Sequence, residues 1–212
     1  MKDLKVKVCG MKSSVEIQEL IDSSLIDYIG FIFYPKSLRY ITEVPKLDGK
    51  FKRVGVFVNE ELETIQAKIN SYTLDVLQLH GNESVSEVKQ LKEVIQKPIF
   101  KAFGMDERFD FKICTSYEPY VDAFLFDTKG KDKGGNGYTF NWSVLKDYPS
   151  TTPIILSGGI GIEHIEELKA LLKLKLPITA IDVNSKFEDK PGLKNIELLS
   201  RFMEQLKKEQ LI

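Results

Sequence analysis

Eight short apolar runs recur along the chain, at residues 4–8, 28–33, 53–58, 74–79, 98–103, 123–126, 153–156 and 178–183. Most are nearly continuous in apolar residues and do not alternate, which is the pattern of strands covered on both faces in a parallel sheet. Between them lie amphipathic stretches with helical spacing. Ser13 and Ser14 open one, with Ile17, Leu20 and Ile21 on one face, and either serine suits a cap. Asn59-Glu60-Glu61 opens a second, through Leu62, Ile65 and Ile69. Further helical stretches are predicted at 83–95, 161–172 and 193–206. The links after the second, fifth and sixth runs do not read as full helices.

Eight strand–helix units at about 26 residues each predict an α/β fold, a compact (β/α)8 barrel of the TIM type. A doubly wound open sheet is the alternative, and even spacing favours closure. There is no Pro/Gly/Ser-rich linker, so residues 1–212 are expected to form a single domain.

Composition narrows the function classes. Lys and Arg number 30 against 31 Asp and Glu, for a net charge of -1, which argues against a general nucleic-acid binder. No apolar run approaches the ~18–20 residues of a membrane span. The N-terminal segment lacks the apolar stretch of a signal peptide, so a cytoplasmic protein is expected. Two cysteines and two histidines with no CxxC make a zinc site or a disulfide framework an unpromising reading.

In a barrel of this type the chemistry sits at the C-terminal ends of the strands and in the loops that follow. The first strand ends in Cys9, either a thiol at the barrel mouth or a small buried apolar residue. Cys114 lies in a helix-like context and reads as structural. Arg39 follows the second strand. Its planar fork suits a carboxylate or phosphate, though a solvated surface Arg fits as well. His80 ends the fourth strand, where it could polarise a substrate or cap the rim. Asp127 follows Phe124-Leu125-Phe126, a costly place for a carboxylate without a partner or a task; it reads either as a general acid or as a loop cap. The polar stretch 129–138, with Gly134-Gly135-Asn136-Gly137, has the composition of a mobile lid. Gly158 and Gly159 end the seventh strand, and Asp182, Asn184 and Ser185 the eighth. Glycines let backbone N–H groups approach an anion, and these two loops are the usual phosphate seat of such barrels.

Together these segments resemble phosphoribosylanthranilate isomerase, nearly end to end. The resemblance rests on Lys7-Val8-Cys9-Gly10, Gly30-Phe31-Ile32-Phe33 with Ser37-Leu38-Arg39-Tyr40, and Gln78-Leu79-His80-Gly81. It continues through Asp127-Thr128, Phe140-Asn141-Trp142 and Leu156-Ser157-Gly158-Gly159-Ile160, and ends at Ile181-Asp182-Val183-Asn184-Ser185 with Glu188 and Lys190-Pro191-Gly192. It implies an Amadori rearrangement of N-(5-phosphoribosyl)anthranilate in tryptophan biosynthesis. In that scheme Cys9 is the general base and Asp127 the general acid. Arg39 lies near the anthranilate carboxylate, with His80 and Asp182 also on the substrate. Gly158, Gly159, Asn184 and Ser185 hold the phosphate. The resemblance implies a small-molecule phosphoribosyl substrate, no metal or organic cofactor, no nucleic-acid or membrane partner, and a monomer or homodimer.

The chain departs from the family pattern where Leu38 replaces a usual Pro and Asn136 a usual Thr. It also has Asn184-Ser185-Lys186 in place of Ser-Ser-Gly, where Lys186 would supply charge instead. Two other functions fit the barrel. The histidine-pathway isomerase uses a carboxylate at the end of the first strand, where this chain has Cys9. A phosphosugar-binding barrel without activity fits the altered eighth loop.

Overall fold

The computed structural model of the protein describes residues 4–22, 26–128 and 139–212. The expected lid at 129–138 lies outside the described residues. Eight strands form a closed parallel barrel: β1 (Lys5–Cys9), β2 (Tyr28–Ile32), β3 (Lys52–Phe57), β4 (Val76–Leu79), β5 (Ile99–Met105), β6 (Ala123–Thr128), β7 (Ile154–Leu156) and β8 (Ile178–Val183). Pairing of β1 with β8, Lys7 opposite Asp182, closes it. The eight runs read from sequence are these eight strands.

Among the described residues, six α-helices accompany the barrel: α1 (Ser14–Asp22), α2 (Leu62–Tyr72), α3 (Val85–Ile95), α4 (Lys112–Thr115), α5 (Ile165–Leu172) and α6 (Ile196–Lys208). The side-chain parity of the strands explains the near-continuous apolar runs. One set of residues, including Val6, Val8, Phe31 and Phe124, packs outward under the helices. The other, including Tyr28, Val54, Phe100, Leu125 and Ala180, fills the barrel interior. Local chemistry sets the helix ends. Ser84 and Glu87 form a reciprocal capping box on α3, and the Asn195 side chain accepts the Leu198 N–H at the start of α6.

The links after β2 and β5 are weak in the structure too. No helix follows β2, and a short four-residue α4 follows β5. A 3-10 helix, Trp142–Asp147, precedes β7. The last helix differs from expectation: it starts at Ile196, not at 193, because β9 (Glu188–Lys190) pairs with β10 (Leu193–Lys194) as a short antiparallel hairpin. Gly192 turns that hairpin at φ +83°. Among the described residues no helix is long and apolar enough to cross a membrane.

Candidate active site

One concavity, with about 660 Å³ of empty space including its open mouth, occupies the C-terminal end of the barrel. Its lining includes Cys9, Arg39, His80, Asp127, Gly158, Gly159, Asp182, Asn184 and Ser185, so the structure brings every sequence-predicted site residue to one place.

Strand parity aims Cys9 inward. Val6 and Val8 of β1 join the outer apolar layer, while Cys9 lines the cavity. Lys7 shares that inward parity and is fully buried, its ammonium 2.8 Å from Asp182 Oδ1. Gly30, the register partner of Cys9, makes the room. A Cβ there would stand 2.7 Å from Cys9 Sγ and 3.0 Å from Lys7 Nζ. Burial pushes the Cys9 thiol up, while the Lys7 charge and its hydrogen bond to the sulfur work against that rise. Burial likewise opposes the charge on Lys7, but Asp182 and Cys9 outweigh it and raise its pKa, keeping the ammonium charged.

Asp127 lies near the end of β6. Its Oδ1 accepts the Thr128 N–H at 2.9 Å, and its Oδ2 is 3.3 Å from His80 Nε2. The other ring nitrogen of His80 faces Gln78 Nε2 at 3.2 Å. With the Gln78 amide donating to Nδ1, the His80 hydrogen sits on Nε2 and points at Asp127. Gly158 packs directly behind this carboxylate at φ +88°. A Cβ would collide with the Thr128 backbone and come within 2.9 Å of Asp127 Oδ1. Only glycine meets both the backbone conformation and the close approach there.

Asp182 forms part of the cavity wall but commits both oxygens to protein partners. Oδ1 takes Lys7, and Oδ2 accepts the Ser157 hydroxyl at 3.3 Å. Arg39 is held by Glu188 of β9: Nε donates at 3.0 and 2.9 Å and Nη2 at 2.6 Å. Lys194, fully buried on β10, donates to Glu188 Oε1 at 2.7 Å and to Asn184 Oδ1 at 2.7 Å. Glu188 and Lys194 therefore link the Arg39 end of the cavity to the loop after β8. Burial alone would raise the Glu188 carboxyl, but Arg39 and Lys194 hold it below the usual range. Lys186 lines the cavity beside the eighth loop and is ion-paired to Glu163 at 2.8 Å. That bond is the main reason the Glu163 carboxyl lies low.

Cys114 lies away from the cavity in α4, and burial pushes its thiol up to about 12. Lys7, Glu188, Lys194, Gln78 and Ser157 are members of the site that strand-end reasoning did not select. Parity could have found Lys7, since it points the same way as Cys9. Nothing local marks Lys194, which the sequence pattern places at the start of a helix over 193–206, while its partners Asn184 and Glu188 precede that stretch. Among the described residues no cluster of three or more His, Cys, Asp or Glu could hold a metal ion.

The family profile described as N-(5'-phosphoribosyl)anthranilate (PRA) isomerase matches residues 6–205. The chain belongs to the N-(5'-phosphoribosyl)anthranilate isomerase family. A curated family member from Parabacteroides distasonis is 41% identical over 208 residues, 95% of this chain and 92% of that protein. Among solved isomerases, the phosphoribosyl anthranilate isomerase of Thermus thermophilus superposes with a TM-score of 0.83 at 27% identity, covering 97% of this chain and 100% of that one. Another superposes with a TM-score of 0.77 at 29% identity, covering 97% of this chain and 99% of that one. That isomerase was solved in complex with reduced 1-(o-carboxyphenylamino)-1-deoxyribulose 5-phosphate.

Proposed function

We propose that this isomerase converts N-(5-phosphoribosyl)anthranilate to 1-(2-carboxyphenylamino)-1-deoxyribulose 5-phosphate in tryptophan biosynthesis, within one barrel domain over residues 1–212 and using its own side chains alone. The observation that carries the reading is that a thiol, a carboxyl, an Arg and two glycine- and Asn/Ser-bearing loops line one cavity.

In this reading the substrate phosphate sits against the Gly158-Gly159 turn and the Asn184-Ser185 loop, where the glycines stand at φ +88° and +68° and leave the backbone open to an anion. The anthranilate carboxylate points to Arg39. Glu188 occupies Nε and one Nη2 hydrogen, which leaves the Nη1 donors for the ligand. Asp127, protonated, gives its proton to the ribose ring oxygen, and the ring opens to a Schiff base. Cys9, as thiolate, takes the proton from C2, and the resulting enolamine tautomerises to the ketose. His80, 3.3 Å from Asp127, holds the carboxyl in place between turnovers.

The direct test incubates the purified protein with phosphoribosylanthranilate, following loss of its fluorescence and the product by chromatographic separation with mass detection. The expected result is catalytic conversion to the deoxyribulose phosphate, an isomer of unchanged mass with a ketose carbonyl. Binding of substrate without turnover would leave a phosphosugar-binding barrel and overturn the assignment.

A further inference from the structure

A lysine and an aspartate buried inside a barrel are costly, and a purely structural pair of this kind is often replaceable by apolar side chains without loss. Much of the barrel interior is apolar, with Tyr28, Val54, Leu125, Ile155 and Ala180 among its members, and Ser157 is the other hydrogen-bond partner of Asp182. The pair is therefore weakly explained by stability. Its position explains it better, since the Lys7 ammonium and Cys9 Sγ both lie against the bare face of Gly30, 3.0 and 2.7 Å from where a Cβ would stand. We propose that Lys7 is a positioning residue for the reaction: anchored by Asp182 on β8, its ammonium is the counter-ion that lets the Cys9 thiolate exist inside the barrel. The inference rests on the reading of Cys9 as base and extends it.

Burial raises the thiol, and the charged groups around the sulfur act on it with differing signs. Lys7 favours the thiolate by both charge and hydrogen bond. Lys194, from β10, acts in the same sense, and Asp182, from β8, acts against it. Arg39 brings its side chain past Gly10, the residue after Cys9. Asp127 and His80, from β6 and β4, act electrostatically on Asp182. Asp182 thus has two effects on Cys9: it holds the cation in place, and it opposes the anion.

This duality gives a test with opposite signs. Asp182→Asn leaves an amide oxygen to hold Lys7 and removes the opposing anion, so the Cys9 sulfur becomes the remaining counter-charge for the ammonium and should ionise more readily. The double variant Lys7→Met with Asp182→Asn removes both, with little change in shape, so Cys9 should ionise less readily. Iodoacetamide alkylation of Cys9, read by peptide mass spectrometry across pH, measures this without substrate. At neutral pH the single variant should alkylate faster than wild type. The double variant should alkylate at least tenfold more slowly, a shift of one unit or more in thiol titration. A wild-type profile in both, or movement of both in one direction, would overturn the inference. Should the double variant fail to fold, unchanged or slower alkylation in Asp182→Asn alone overturns it. The pH profile of kcat/KM is measured alongside. If alkylation shifts with opposite signs but kcat/KM does not follow, Lys7 governs the thiol and Cys9 is not the base.

Discussion

Arg39 and Glu188, 149 residues apart in sequence, meet in a bidentate ion pair with Nη2 2.6 Å from Oε2. The Arg39 side chain is 13% exposed and that of Glu188 3%, so the carboxylate works from beneath the Arg and aims it into the cavity. The same carboxylate holds Lys194.

Arg39→Ala should therefore raise KM for phosphoribosylanthranilate at least tenfold with a smaller change in kcat, because it removes a contact made equally in the ground and transition states. Glu188→Gln should raise KM in the same direction by releasing Arg39. Unchanged KM in Arg39→Ala would remove that residue from the carboxylate contact.

The depressed Glu188 carboxyl also couples folding to pH. A carboxyl whose folded pKa lies below its unfolded value of about 4.3 stabilises the fold above that value. That stability disappears as pH falls through the folded pKa. In urea unfolding, wild type should exceed Glu188→Gln by several kcal/mol near neutrality, the order expected for breaking a buried pair. The gap should narrow below about pH 4. A constant gap at all pH would mean that the carboxylate charge is not the stabilising feature.

Gly158→Ala should cost activity through geometry. The new methyl meets the Thr128 backbone and Asp127 Oδ1, and the φ of +88° is unfavourable to any L side chain. The expected outcome is a drop in kcat of ten- to a hundredfold, on the order found when a catalytic group is misplaced by an ångström. Wild-type kcat in a folded variant would show that Asp127 is not held by this contact.

The second thiol serves as the control. Cys114 packs in α4 with its thiol pushed up to about 12, so at neutral pH it is neither a base nor a nucleophile. Cys114→Ser should leave kcat and KM within about twofold of wild type, while burying the new hydroxyl should cost about 1–3 kcal/mol of stability. Strong loss of activity without unfolding would mean that the wrong cysteine had been assigned.

The barrel was legible because both faces of each strand are covered, which writes itself as eight apolar runs. Cys9, Asp127, Gly158 and Asn184 were legible because the fold places strand ends at one mouth. The β9–β10 hairpin was not: Glu188, Asp189 and Lys190 are polar, and Leu193 is in phase with the helix that follows. The ion pairs that shape the site join residues far apart, Lys7 to Asp182 across 175 positions. No local periodicity carries that information, and only the closure of β8 onto β1 brings the two together.

The proposed mechanism depends on Cys9 as base and Asp127 as acid within one cavity. Steady-state kinetics of Cys9→Ser and Asp127→Asn, with phosphoribosylanthranilate as substrate, test this most directly. The expected result is a loss of kcat of at least about a hundredfold in each, the lower bound for general acid–base catalysis, with KM changed only a few-fold. Near-normal turnover in either folded variant would contradict the proton-transfer scheme.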